Sequence, residues 1–112
     1  MVKVAFWITS GPDQEEKVLS GLNIAARMKA NRGQTTEVYL YGPAVQLIGE
    51  GTEATREKIK ALKEAGVPVG HCPANAKAYQ VEKSIEDQGI YAQAAGEVMI
   101  RLVEEGFSVV GY

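Results

Sequence analysis

The sequence has very little of the residue types that build redox, metal and nucleic-acid sites. One cysteine and one histidine occur in 112 residues, which excludes an internal disulfide, a redox pair of cysteines and a zinc site of several Cys or His ligands. Lysine and arginine total 12 against 14 acidic residues, and without a basic excess we expect no nucleic-acid partner. Neither a Gly-x-Gly-x-x-Gly nor a Gly-Lys-Ser/Thr pattern is present, so we expect no nucleotide and no other cofactor.

Long apolar runs are also missing. No segment is apolar for long enough to predict a membrane span, and the N-terminus lacks the hydrophobic region of a signal peptide. We therefore expect a cytoplasmic protein without a membrane partner, in which reducing conditions keep the single cysteine as a free thiol. The length and the hydrophobic content of 46% fit one globular domain, residues 1–112.

The residues that are present repeat one order along the chain: a helical pattern, a glycine and an apolar run. Gly33, Gly66 and Gly106 each stand at such a junction, and glycine is favoured just past a helix end, where the chain turns left-handed. The first apolar run, residues 2–8, is nearly continuous, as expected of a strand covered on both faces. Strands separated by helices run parallel with right-handed crossovers. The sequence predicts an α/β fold: a three-layer, flavodoxin-like or Rossmann-like sandwich with a mostly parallel sheet of about five strands.

Two helices carry more specific signals. Thr52 precedes a helical pattern and is the expected N-cap. In the last helix, around residues 95–103, apolar residues recur at helical spacing. Glu97, Arg101 and Glu105 are four residues apart on its other face, which predicts that this face meets solvent.

Cys72 lies where a parallel α/β fold normally places its chemistry. Ligands of open parallel sheets bind beyond the carboxyl ends of the strands, and Cys72 ends the apolar run 67–71. Pro73 is favoured at the first position of a helix, so Cys72 is predicted to be the N-cap. There, unpaired backbone N–H groups and the positive end of the helix dipole stabilise a thiolate, the nucleophilic form of the side chain. The alternative is that Cys72 is a small buried hydrophobic residue.

His71, directly before Cys72, and Asn75, three residues after it, are candidate supporting residues. Adjacent residues of a strand point to opposite faces, so His71 is a base for Cys72 only if the chain has already turned. The alternative is a solvated or hydrogen-bonded histidine at the strand end. Asn75 belongs to the same strand-end segment.

Thr9 and Ser10, at the end of the first predicted strand, are the remaining candidates. Their hydroxyls and the neighbouring backbone N–H groups are suited to a phosphate, as in flavodoxin-like folds. Alternatively, Ser10 or Asp13 is the N-cap of the first helix.

Four segments, in this order and spacing, carry a resemblance to a known family. They are Thr-Ser-Gly-Pro at 9–12 after the apolar first strand, Tyr-Gly-Pro-Ala-Val at 41–45, Ala-Gly-Val-Pro-Val at 65–69 leading to Cys72, and Glu-Gly-Phe at 105–107. With them the chain resembles the DsrE/DsrF-like family of small sulfur-handling proteins, which includes the TusD-type sulfur-relay subunits. The resemblance implies a parallel five-stranded α/β fold and assembly into dimers, trimers or hexamers. It also implies a strand-end cysteine that carries sulfur as a persulfide, a role that only Cys72 can take.

Two functions remain open at this point. The first is sulfur transfer through Cys72, with sulfur donor or acceptor proteins or small thiols as partners. The second is a non-catalytic oligomeric module that binds a small ligand or another protein. A homo-oligomer is expected in both cases, because the apolar segment 44–48 and the last edge strand, which ends at Tyr112, have too little following sequence to cover them within one chain.

Overall fold

Strands and helices alternate along the chain in the computed structural model, which describes residues 1–112 apart from the side chain of Tyr91. The strands are β1 (Lys3–Ile8), β2 (Thr35–Leu40), β3 (Val69–His71), β4 (Tyr91–Ala92) and β5 (Ser108–Gly111). The helices are α1 (Glu15–Ala30), α2 (Gln46–Glu50), α3 (Glu53–Glu64), α4 (Pro73–Ala78), α5 (Glu82–Glu86) and α6 (Ala95–Glu104). Two short 3-10 helices, Pro12–Gln14 and Gly42–Val45, lead into α1 and α2.

The five strands form one parallel sheet in the order β4-β3-β2-β1-β5. β1 lies inside the sheet, paired with β2 on one side and β5 on the other. Its side chains therefore pack on both faces, which explains the nearly continuous apolar run. The predicted α/β class and the parallel sheet are confirmed.

Helices cover both faces of the sheet, which makes three layers. On the first face, here called the α1 face, buried residues of β1 and β2 pack with buried residues of α1 to α5. On the second, here called the α6 face, Ala5, Tyr39 and Tyr41 pack with Val98 and Leu102 of α6. Because side chains alternate along a strand, β1 and β2 each contribute to both clusters.

The ends of the helices follow the sequence signals. Gly33, Gly66 and Gly106 have φ angles of +64°, +85° and +82°, the left-handed conformation predicted for them. Thr52 caps α3, since its side chain accepts a hydrogen bond from the backbone N–H of Thr55. Among the described residues, no helix has the length and apolarity needed to cross a membrane.

Two predictions are wrong: the N-cap of the first helix, and the exposure of the apolar segment 44–48 in a single chain. Neither Ser10 nor Asp13 caps α1, because the 3-10 helix Pro12–Gln14 takes up that stretch and Gln14 becomes the N-cap residue of α1. The apolar segment 44–48 is not left uncovered: Ala44, Val45, Leu47 and Ile48 are fully buried in the cluster of the α1 face.

The polar face of α6 also differs from the prediction. Arg101 turns toward the sheet, where Nη2 lies 2.6 Å from Oε1 of Glu37 and donates to the hydroxyl of Tyr39 at 2.9 Å. The hydrogen bond to Glu37 and the negative charge of its carboxylate raise the pKa of Arg101 above its ordinary value. No local pattern in the sequence indicates this pair, since Glu37 is 64 residues away from Arg101 in the chain.

Candidate functional site at the ends of β2 and β3

Cys72 occupies the predicted position at the start of α4. It is the N-cap residue with φ −89° and ψ 120°, Pro73 follows inside the first turn, and the Cys72 carbonyl accepts the first helical hydrogen bond from the N–H of Ala76 at 3.0 Å. The thiol is free and partly exposed. Its sulfur accepts no capping hydrogen bond from α4 in the described structure. The partial exposure argues against a purely structural, buried cysteine.

His71 and Cys72 lie on opposite faces of the sheet. Cys72 packs against the cluster of the α6 face. His71 is 6% exposed and lines a cavity of about 260 Å³ together with α5 residues Glu82 and Glu86. That cavity lies on the α1 side, because its other lining residues include Ala76 and Ile90 of that cluster. The sheet therefore separates the imidazole from the thiol, and His71 is neither a base for Cys72 nor a solvated histidine.

Asn75 fixes the loop after β2 against α4. Its Oδ1 accepts a hydrogen bond from the backbone N–H of Gly42 at 2.8 Å. Gly42 has a φ of +57°, which a residue with a side chain rarely adopts. Asn75 thus joins the segment that carries Cys72 to the segment that follows Tyr41.

Thr9 and Ser10 do not join Cys72. β2 lies between β1 and β3, so the ends of those two strands are about 10 Å apart. The hydroxyl of Ser10 donates to the backbone carbonyl of Tyr112, and Thr9 is exposed. Ser10 therefore has a structural contact at the end of β1.

Three aromatic residues on the same face of the sheet as Cys72 were not predicted from the sequence as part of a site. Trp7, Tyr39 and Tyr41 share the α6 face, with ring centroids 4.5 Å apart for Trp7 and Tyr41, 6.0 Å for the two tyrosines and 6.3 Å for Trp7 and Tyr39. Tyr39 and Tyr41 are buried, whereas Trp7 is partly exposed. The signal available in the sequence was the spacing of two between the tyrosines, which places both on one face. The spacing of the tyrosines does not show which residue of β1 lies beside them, so the pairing of Trp7 with Tyr39 could not be predicted.

Other polar regions do not add to this site. Among the described residues, no group of three or more His, Cys, Asp or Glu side chains is placed to hold a metal ion. An open groove of about 750 Å³ is lined by charged side chains of α3 and by Asp87 and Gln88. None of the candidate site residues, Thr9, Ser10, His71, Cys72 and Asn75, lines that groove.

Comparisons with known proteins agree on family and fold. The model of the DsrE/DsrF-like family matches residues 2–111, and none of the curated proteins matches. A solved structure of the ychN protein from E. coli is similar with a TM-score of 0.82 at 16% identity, over 100% of both chains.

Two proteins of unknown function have similar solved structures. One, from Methanobacterium thermoautotrophicum, has a TM-score of 0.81 at 18% identity over 100% of both chains. A conserved one from Bacteroides thetaiotaomicron has a TM-score of 0.78 at 20% identity, over 96% of this chain and 94% of its own. At these identities the likeness shows the fold alone.

Proposed function

Because this chain belongs to the DsrE/DsrF-like family, we propose that it is a sulfur carrier that holds sulfur as a persulfide on Cys72. The observation that carries the proposal is the place of the thiol: free, partly exposed and at the carboxyl end of β3. This is the edge at which parallel sheets bind ligands. The proposal includes a cytoplasmic location, where reducing conditions keep Cys72 as a thiol.

The transfer needs no oxidant. The Cys72 thiolate attacks the outer sulfur of a donor persulfide R–S–SH, a bond forms between Sγ and that sulfur, and the donor S–S bond breaks. The thiolate R–S⁻ leaves with the electron pair. In the return step an acceptor thiolate attacks the same outer sulfur, and Cys72 leaves as the thiolate.

The surroundings of Cys72 suit this chemistry better than acid–base catalysis. Sulfur exchange requires access and a thiolate, and it does not require the histidine that the sheet keeps on its other face. With one cysteine in the chain, no internal disulfide can form, so donor and acceptor are separate proteins or small thiols.

Incubation with cysteine persulfide followed by intact mass measurement tests the proposal. Wild type should gain the mass of one sulfur atom, and dithiothreitol should remove it. Cys72→Ser, which keeps the size of the side chain, should gain none. A wild-type protein that is alkylated readily at Cys72 and still takes up no sulfur would favour the non-catalytic module.

One observation favours the second function, an interaction module built by copies of this chain. Ile100 and Val103, one turn apart on α6, are 62% and 63% exposed, and exposed apolar pairs of this kind are often covered by another subunit. The two edge strands, β4 and β5, are open in a single chain. We therefore include a homo-oligomer, as a dimer, trimer or hexamer, in the proposal.

Light scattering at micromolar concentration tests the oligomer. Wild type should exceed the monomer mass of 12.1 kDa, and the double variant Ile100→Glu, Val103→Glu should lower the mass to that of one chain. Ile24→Glu, at a 43% exposed position of α1, is the matched control and should leave the mass unchanged. A monomeric wild type would contradict this part of the proposal.

A further inference from the structure

The ring of Tyr41 extends across the position of Cys72. The pairing of Leu40 with His71 places Tyr41 and Cys72, the next residue of each strand, side by side on the α6 face, about 5 Å apart. The Tyr41 hydroxyl lies 3.5 Å from the carbonyl oxygen of Gln93. Gln93 follows β4, on the far side of β3, so the phenol ring spans the end of β3 where the thiol stands.

Trp7 continues this aromatic surface toward solvent. Its ring centroid is 4.5 Å from that of Tyr41, with the ring planes at 51°. Tyr41 is 3% exposed, whereas Trp7 and Cys72 are both partly exposed and both pack against the cluster of the α6 face. Trp7 is therefore the part of this aromatic surface that a molecule arriving from solvent can contact.

The charges of the α6 face do not favour an anion beside Cys72. Lys3 stands four residues before Trp7 in β1, about 13 Å along the strand, and donates to a backbone carbonyl there. Arg101 is paired with Glu37. The first turn of α6, which begins at the carboxyl edge of the sheet, carries an anion, Glu97.

We propose that the ring pair of Trp7 and Tyr41 determines substrate specificity at Cys72. The organic group R of the persulfide or thiol packs against the accessible part of the Trp7 ring, which the buried ring of Tyr41 supports, so apolar and aromatic R groups are preferred over anionic ones. Aromatic rings pair favourably with other rings and with sulfur. This inference rests on the proposed function, since it names the class of small molecule that exchanges sulfur with Cys72.

Two reagents of the same chemistry test the preference: benzyl methanethiosulfonate and 2-sulfonatoethyl methanethiosulfonate. In each, the Cys72 thiolate attacks the sulfenyl sulfur, a disulfide bond forms, and methanesulfinate leaves with the electron pair. The rates are followed by intact mass and divided by the rates with N-acetylcysteine, which corrects for reagent reactivity. The corrected benzyl-to-sulfonatoethyl ratio of wild type should exceed that of Trp7→Ala by roughly threefold to tenfold, the effect of one aromatic contact.

Three comparisons make the result specific to the ring. Trp7→Phe should have a corrected benzyl-to-sulfonatoethyl ratio between those of wild type and Trp7→Ala. If circular dichroism shows that Trp7→Ala is poorly folded, the comparison of Trp7→Phe with wild type still tests the role of the ring. Tyr79→Ala removes a 39% exposed aromatic at the end of α4 and should leave the ratio unchanged. Trp7 is the only tryptophan, so loading the benzyl group should also change the intrinsic fluorescence of wild type and not that of Cys72→Ala.

The outcomes separate this inference from the proposed function. Equal ratios in wild type, Trp7→Phe and Trp7→Ala, with persulfide uptake intact, would overturn the specificity role alone. Labelling of Cys72 by neither reagent, in a protein that is labelled after unfolding, would overturn both, because the thiol would then be inaccessible.

Discussion

Replacing Asn75 by alanine tests how the loop after β2 is held against the segment that carries Cys72. The substitution removes the 2.8 Å hydrogen bond from the N–H of Gly42 and leaves a partly buried donor, which costs about 1–2 kcal/mol. Asn75 is the third residue of α4, where alanine has the better helix propensity by up to ~0.7 kcal/mol. The free energy of unfolding should therefore fall by about 0.5–1.5 kcal/mol.

Urea denaturation followed by the fluorescence of Trp7 measures this change. Asn75→Asp is the decisive partner variant, because its carboxylate can accept the same N–H and is favourable in the first turn of a helix, so it should stay near wild type. Asn31→Ala, at an exposed position beyond α1, controls for the loss of an amide as such. If Asn75→Asp loses as much stability as Asn75→Ala, the acceptor role of the side chain is refuted.

Three further predictions concern stability. Burial acts to raise the pKa of Glu15, but hydrogen bonds from two threonines at the start of α3 outweigh it, so its pKa lies below the ordinary value. The contribution of the ionised Glu15 to the free energy of unfolding is complete above about pH 4.3, and it is lost as the pH falls through the lower native pKa. Urea denaturation at several pH values across that range should show a weaker pH dependence for Glu15→Gln than for wild type. A Cβ on Gly49 would lie 2.3 Å from Cβ of Ser84, whereas one on Gly96 meets nothing within 4 Å. Thermal unfolding should therefore show that Gly49→Ala destabilises the protein and that Gly96→Ala stabilises it by up to about 1 kcal/mol. Stabilisation by both substitutions would contradict the close packing of α2 on α5. Leu102→Ala should cost about 2–5 kcal/mol in urea denaturation, because the side chain is fully buried and leaves a cavity; a loss below ~1 kcal/mol would contradict that burial.

The features predicted correctly depend on neighbours in the chain. Glycine at a helix end and proline after Cys72 act through their own backbone angles, and the opposite directions of His71 and Cys72 follow from strand alternation alone. These local rules correctly predicted the alternation of strands and helices, the position of Cys72 as an N-cap, and the separation of the His71 imidazole from the thiol.

The features that were missed depend on register and on side-chain direction between distant segments. Trp7 meets Tyr41 only because β1 and β2 pair with one register. Asn75 reaches Gly42 only because the loop after β2 passes α4. The inward turn of Arg101 depends on a carboxylate in β2, and no local pattern encodes that partner.

The position of two neighbouring residues on opposite sides of the sheet has an evolutionary consequence. Residues of α5 line the cavity beside His71, while residues of β1, β2 and α6 form the cluster against which Cys72 packs. Because the sheet lies between α5 and α6, substitutions at Glu82 or Glu86 and substitutions at Val98 or Leu102 should be nearly additive in their effects on stability. A lineage can therefore remodel the histidine cavity by drift or selection while the chemistry of the thiol stays as it is, and the reverse is equally open to it.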